Sequence, residues 1–194
     1  MRQRIGAVAL AALGLWAPAA WATTYTIDPQ HSTVSFKIRH LVAKVPGVFR
    51  EFEGAFDYVP GQPDQWKAQA VVQAASIDTR VEKRDTHLRS KDFFGVEQFP
   101  TITFTSTQVT DATPTSAKLH GVLTLHGVQQ PVVLDLVIGG EGKDPWGNQR
   151  AGFTATTTLN RKDFGIVWNE PLETGGFLLG EDVDVTLEIE GIAK

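Results

Sequence analysis

The sequence of 194 residues contains no cysteine. This absence excludes disulfide bonds, thiol catalysis, thiolate metal sites and a lipid-modified cysteine at the start of a processed chain. A protein without such cross-links depends on its apolar core for stability, and a chain of this length can form a core of adequate size. The composition therefore favours a domain that is held together by packing alone.

Motifs of metal and catalytic sites are also missing. The five histidines are dispersed. His120 and His126 lie on one predicted strand at a separation of roughly 20 Å, which is too far for one ion. No Gly-x-Ser-x-Gly sequence offers a nucleophile, and the glycine-rich residues 139–142 lack the strand-to-helix context of a dinucleotide-binding loop. We therefore predict no required metal or cofactor and no enzymatic activity.

The longest uncharged apolar run, residues 5–16, is too short to cross a membrane as a helix, which needs roughly 20 residues. It follows Arg2 and Arg4 and precedes the small residues Ala20 and Ala22. This order is typical of a cleaved signal peptide. We predict a signal peptide at residues 1–22 and one secreted domain at residues 23–194, with no transmembrane segment.

Positive charge is scarce in the predicted mature chain. Without the signal peptide, 16 basic residues stand against 22 acidic ones, a net charge of −6. The two signs are interspersed, whereas a phosphate-binding surface needs clustered lysines and arginines. Nucleic acid is therefore excluded as the expected partner.

A two-residue alternation of apolar and polar side chains recurs along the mature chain. Val34, Phe36 and Ile38, for example, alternate with polar residues. Such alternation predicts strands with one buried face. The other runs of this kind are residues 52–58, 66–74, 101–105, 118–126, 132–138 and 183–189, with residues 150–159 ambiguous about the buried side. About eight strands joined by turn-rich loops indicate an all-β barrel or sandwich.

Two segments interrupt the alternation. Residues 79–90 are highly charged, and we predict a helix there, with Thr79 as its N-cap and Glu82 completing a capping box. A short turn is predicted after His40. Residues 59–65 and 139–148 contain glycine or proline and are predicted to be hairpin loops.

Several segments of the chain, taken together and in this order, are specific to one protein family. They are Asp28-Pro29-Gln30-His31-Ser32, Gly47-Val48-Phe49, Arg84-Asp85-Thr86-His87-Leu88, Asp92-Phe93-Phe94, Phe99-Pro100-Thr101-Ile102-Thr103-Phe104, Leu123-Thr124-Leu125-His126-Gly127-Val128, Pro131-Val132 and Arg161-Lys162-Asp163-Phe164-Gly165. On these residues the whole mature chain resembles the YceI-like proteins, which are periplasmic lipid- or polyisoprenoid-binding proteins with a lipocalin-like barrel.

The resemblance implies an extended, eight-stranded antiparallel barrel with one or two short helices, which encloses a long apolar molecule in the periplasm. Alanines and glycines on the apolar faces would leave room in such a lumen, although they would also suit a filled, tapered core. The lumen candidates are Phe36, Ile38, Phe52, Phe56, Ala70, Val72, Ile102, Phe104, Leu119, Leu123, Leu134, Leu136, Val185 and Leu187.

Charged residues in the family motifs have two possible roles. They either tie a helix and loops together or contact the head group of a ligand at the barrel mouth. These residues are His31, Arg84, Asp85, His87, Arg161 and Asp163.

We therefore predict a carrier or sequestering protein for an isoprenoid (quinone-like) or fatty-acid-like ligand, which it holds by burial. Two alternatives remain open: an enzyme acting on a lipid-like substrate, and a filled barrel that binds partners through its outer surface.

Overall fold

The computed structural model describes residues 22–194, so the predicted signal peptide lies outside the described residues except for Ala22. Eleven β-segments form one antiparallel sheet. Strand β1 consists of Thr23–Ile27 and Thr33–His40, and β2 consists of Ala43–Phe49 and Phe52–Tyr58. The other strands are β3 (Lys67–Gln73), β4 (Thr101–Thr110), β5 (Ser116–Leu125), β6 (Val128–Lys143), β7 (Gln149–Asn160) and β8 (Leu179–Ala193), and a two-residue segment, Ile77–Asp78, pairs with the first part of β2.

The eight strands close into a barrel. Each strand pairs with the next one along the chain. The last strand, β8, returns to β1, where Ala193 is opposite Tyr25 and Val185 is opposite Phe36. Closure satisfies the backbone groups that an open sheet would leave unpaired at its edges. The predicted eight-stranded antiparallel barrel is confirmed.

The side chain of Ser32 bridges the interruption in β1 that follows Asp28-Pro29. Ser32 Oγ accepts a hydrogen bond from Glu190 N at 3.0 Å and donates one to Glu190 O at 3.2 Å. The hydroxyl thus takes the place of backbone ladder bonds where the strand bends, and β1 stays attached to β8 on both sides of the bend.

One short α-helix, α1, spans Glu82–Arg89 among the described residues. The helix predicted in this segment is confirmed, but its predicted cap is wrong. Val81 is the N-cap, and Arg80 has a φ of 67°, so the chain turns between Thr79 and the helix. The Thr79 hydroxyl is instead bonded to Asp85 and Arg84, which lie in the helix itself.

Two further expectations need correction. Strand β6 continues to Lys143, so only residues 144–148 of the predicted loop at 139–148 form a loop. His126 is not on a strand: it lies in the β5–β6 turn with a φ of 52°, and its Nδ1 is 3.1 Å from the Phe164 carbonyl oxygen. His120 stays on β5, where its Nε2 lies 2.8 Å from Thr110 Oγ1.

The antiparallel meander gives the barrel two different ends. The helix end carries α1, the β1–β2 turn, the β5–β6 turn and residues 161–178. The loop end carries residues 59–66, 111–115 and 144–148 together with both ends of the described chain. No helix within residues 22–194 is long and apolar enough to span a membrane.

Candidate functional site: an apolar cavity in the barrel

The half of the barrel next to the helix end contains a cavity of about 630 Å³. All eight strands contribute apolar side chains to its wall because the inward faces of the strands alternate with the solvent faces. Of the lumen candidates, the following line it: Phe36, Ile38, Phe52, Ala70, Val72, Ile102, Phe104, Leu123, Leu134, Val185 and Leu187. The volume lies within the range of about 300–1,000 Å³ that is typical of small-molecule sites.

The half next to the loop end is filled with side chains. Tyr25 and Phe56 stack at 5.1 Å between ring centroids, and Tyr58 packs against Trp66 at 4.9 Å. The lumen candidates Phe56, Leu119 and Leu136 belong to this buried cluster and do not line the cavity. The lumen is therefore filled with side chains towards the loop end and open towards the helix end.

Helix α1 covers part of the cavity with one of its faces. Lys83, Arg84, His87 and Leu88 all line the cavity, as expected for residues three or four positions apart on one helical face. His87 makes edge contacts with Phe93 and with Trp168 (ring centroids 5.0 and 4.9 Å), and its Nε2 lies 3.0 Å from Asp92 Oδ2. These aromatic contacts join α1 to the loops that complete the cover.

The buried carboxylate of Asp85 fixes the start of the helix. Asp85 Oδ1 accepts hydrogen bonds from Thr79 N at 2.9 Å and from the Thr79 hydroxyl at 2.5 Å. Arg84 donates from Nε to the Thr79 hydroxyl oxygen and from Nη2 to the Thr79 carbonyl oxygen. These hydrogen bonds attach α1 to Thr79, and Arg84 lines the cavity as well.

Arg161 combines deep burial with a position in the cavity wall. It is 4% exposed, and it donates to the carbonyl oxygens of Gly180, Ile166 and Trp168 at 2.8–2.9 Å. Burial lowers the pKa of its guanidinium, an effect that the charge of Glu181 partly opposes. Its Nη2 is buried without a hydrogen-bond partner among the described protein atoms. The neighbouring motif residue Asp163 is exposed and does not line the cavity.

His31 lies away from the cavity, in a charged network on the barrel wall. His31 Nδ1 is 2.7 Å from Asp28 Oδ2, and Arg150 donates to Asp28, Glu190 and Asp144. The hydrogen bonds from His31 and then from Arg150 lower the pKa of Asp28 to about 2.

Asp28, His31 and Glu190 are close enough to share a cation. The Arg150 guanidinium already binds both carboxylates, which favours a structural role for the group. That no metal is required remains a prediction. Chelator treatment should leave the melting temperature unchanged, and a loss of stability that one added ion restores would contradict it.

Exposed apolar side chains are found around the helix end. Leu41 and Val42 form the β1–β2 turn, and Leu41 N donates to the carbonyl oxygen of Leu178, which lines the cavity. Val81 is both exposed and part of the lining, and Phe177 is exposed beside Leu178. A rim of this kind suits the entry of an apolar molecule.

Sequence reasoning missed several lining residues. Lys83 and Leu88 share the helical face of Arg84 and His87, so a period of 3.6 residues applied to residues 82–89 would have identified them. Others lie in irregular segments after α1 and after β7, where no periodicity exists to identify them: Phe93, Phe94, Phe164, Ile166, Trp168 and Leu178.

Known proteins are similar to this chain in sequence and in fold. A model of the YceI-like domain matches residues 25–191. A UPF0312 protein of Pseudomonas savastanoi pv. phaseolicola is 38% identical over 197 aligned residues, which cover 100% of this chain and 99% of that protein. The chain belongs to the YceI-like family, as its sequence motifs predict.

Solved structures show the same fold. BcnA of Burkholderia cenocepacia superposes with a TM-score of 0.74 at 21% identity and covers 84% of this chain and 98% of its own. A polyisoprenoid-binding domain from Saccharophagus degradans superposes with a TM-score of 0.64 at 15% identity, covering 89% and 99% of the two chains.

Proposed function

We propose that the protein binds a long apolar molecule, an isoprenoid or a fatty-acid-like chain, inside the barrel and carries or sequesters it in the periplasm. The observation that supports this most strongly is the cavity of about 630 Å³ with its nearly continuous apolar wall. The relative from S. degradans that shares the fold is described as polyisoprenoid-binding. The periplasmic location rests on the predicted signal peptide and on membership of the family.

Binding of the ligand tail would depend on removal of its apolar surface from water rather than on directional contacts. Each buried methylene contributes about 0.8 kcal/mol, offset by the cost of association and of ordering a flexible chain. Walls made of aliphatic and aromatic side chains accept any chain of suitable width. The proposal therefore includes broad selectivity for the tail.

Catalysis of a reaction on a lipid-like substrate has less support from the site. Two of the hydroxyls in the cavity wall already donate hydrogen bonds within the protein: Ser35 donates to the Thr186 carbonyl oxygen, and Thr79 donates to Asp85. His87 is held between an acidic side chain and two aromatic rings rather than beside a hydroxyl. These partners suit a fixed wall better than a nucleophile and its base.

Displacement of a fluorescent fatty acid by straight-chain acids of increasing length tests the proposal. Affinity should rise on the order of fourfold per added methylene while the chain still fits the cavity, and then level off. The length at which it levels off measures the usable depth of the cavity. Absence of binding by every chain length would contradict the proposal.

A further inference from the structure

The charged side chains around the cavity are all basic. Lys83, Arg84 and Arg161 line it, and no aspartate or glutamate of the described chain does so. The sign of the charge at the cavity is opposite to that of the whole sequence, which has a net charge of −4. A cavity wall with charge of one sign favours a ligand group of the opposite sign.

These three cations have no carboxylate partner within residues 22–194. Each ion pair there involves other basic residues, such as Lys162, which pairs with Glu181 at 2.5 Å. The nearby Asp85 is directed at Thr79, through which it balances part of the Arg84 charge. The positive charge facing the cavity is therefore only partly neutralised by the protein.

Arg161 supplies the most specific observation. Its Nε and Nη1 are fixed by three backbone carbonyls, which hold the guanidinium in one orientation. Its Nη2 is left as a buried donor without a protein acceptor, in a residue that forms part of the cavity wall. A buried charged donor without a partner is costly, so a ligand acceptor that reached it would recover that cost.

We propose that the cavity selects amphiphiles with an anionic oxygen head group, a carboxylate or a phosphate, which accepts a hydrogen bond from Arg161 Nη2. The tail would extend from this point along the apolar wall, and Lys83 and Arg84 would add to the attraction. Because Nη2 is covered by neighbouring atoms, the head group must push side chains slightly apart to reach it. This proposal rests on the proposed function and adds to it the chemistry of the head group.

Four sixteen-carbon probes that differ only in the head group test the proposal on the wild-type protein. They are hexadecanoate, hexadecyl phosphate, hexadecanol and methyl hexadecanoate, each used to displace an uncharged fluorescent lipid. We expect at least one of the anions to bind on the order of tenfold tighter than the two neutral probes. The stronger of the two anions then identifies the preferred head group.

Substitutions assign the selectivity to the cavity cations. Arg161→Lys keeps the charge but removes Nη2, and should lower the ratio of anion to neutral affinity by about three- to fivefold, which leaves the share contributed by the remaining charges. Lys83→Gln should reduce the ratio by about two- to threefold, since it removes one charge at the rim and breaks no hydrogen bond to the protein. Lys91→Gln is the matched control, because Lys91 is exposed near the same end but does not line the cavity. This control should leave the ratio unchanged.

The outcomes separate this proposal from the proposed function. Equal binding of all four probes would overturn the anionic head group and leave the carrier function standing, whereas binding of none would overturn both. If Arg161→Lys does not fold, the affinity ratio of the wild type and that of Lys83→Gln still test the preference for an anionic head group. An unchanged ratio in both variants would contradict the role of the cations.

Discussion

Ala70→Trp distinguishes a cavity from a filled core. Ala70 lies on β3 in the cavity wall, opposite Gly54 of β2 and Phe104 of β4. The change adds about nine heavy atoms, which take up at most about 270 Å³ if each has the volume of one water molecule in the liquid. This is less than half of the cavity volume of about 630 Å³.

The indole ring should therefore enter open space at little cost to folding. We expect the free energy of unfolding in urea to change by less than about 1 kcal/mol, since no dense packing is disturbed. Binding should be weakened strongly. If the ring displaces about four methylenes of the ligand, the loss is about 3 kcal/mol, on the order of 200-fold in affinity.

Ala155→Trp is the matched control. Ala155 faces inward on β7 but lies in the filled half, where it is 4% exposed and has Leu136 and Leu187 as cross-strand neighbours. The same ring should overpack this region and cost roughly 1–3 kcal/mol or more. Urea unfolding and binding of a fluorescent fatty acid should be measured on both variants. Strong destabilisation by Ala70→Trp, or unaltered binding of long chains, would refute the reasoning.

Three further predictions concern the charged network around Asp28, the packing at Gly121 and the predicted signal peptide. Asp28→Asn should lower the stability at pH 7 by about 1.5–3 kcal/mol, because it removes charge-assisted bonds such as that from Arg150. In urea titrations, the stability difference between the variant and the wild type should shrink as the pH falls from 3.8, the ordinary pKa of this carboxyl, to about 2, its pKa in the folded protein. A stability difference that stays constant over this pH range would argue against the prediction. Gly121→Ala should cost roughly 1–3 kcal/mol, since its Cβ would come within 2.6 Å of a backbone carbonyl oxygen, whereas Gly142→Ala, with open space around it, should be nearly neutral. Equal effects of the two glycine changes would count against this packing. N-terminal sequencing of the secreted protein should begin at Thr23, and an uncleaved chain would rule out the predicted signal peptide.

The strands could be predicted because a half-buried strand leaves a mark of period two in the sequence. Val34, Phe36 and Ile38 show this pattern, and all three line the cavity. The bends inside β1 and β2 were not predicted, and neither was the strand Ala43–Phe49, in which Pro46 and Gly47 interrupt the alternation. Closure of the barrel depends on pairing between the first and last strands, which the alternation does not specify.

Which inward residues face the cavity could not be predicted from alternation. Phe56 and Phe52 lie on the same face of β2, yet only Phe52 lines the cavity, because large aromatic side chains fill the loop end. Height along the barrel follows from strand register, not from the pattern within one strand. The role of Arg161 was likewise open, since its three carbonyl partners lie 5 to 19 positions away in the sequence.

Native mass spectrometry of the protein purified from its native cells tests the proposed carrier function most directly. The spectrum should show the mature chain with a bound non-covalent molecule, and organic extraction should release a long-chain lipid. Ala70→Trp purified in the same way should carry much less of it, and Ala155→Trp provides the comparison where it folds. A wild-type protein that carries no lipid and takes up none from added long-chain amphiphiles would contradict the account.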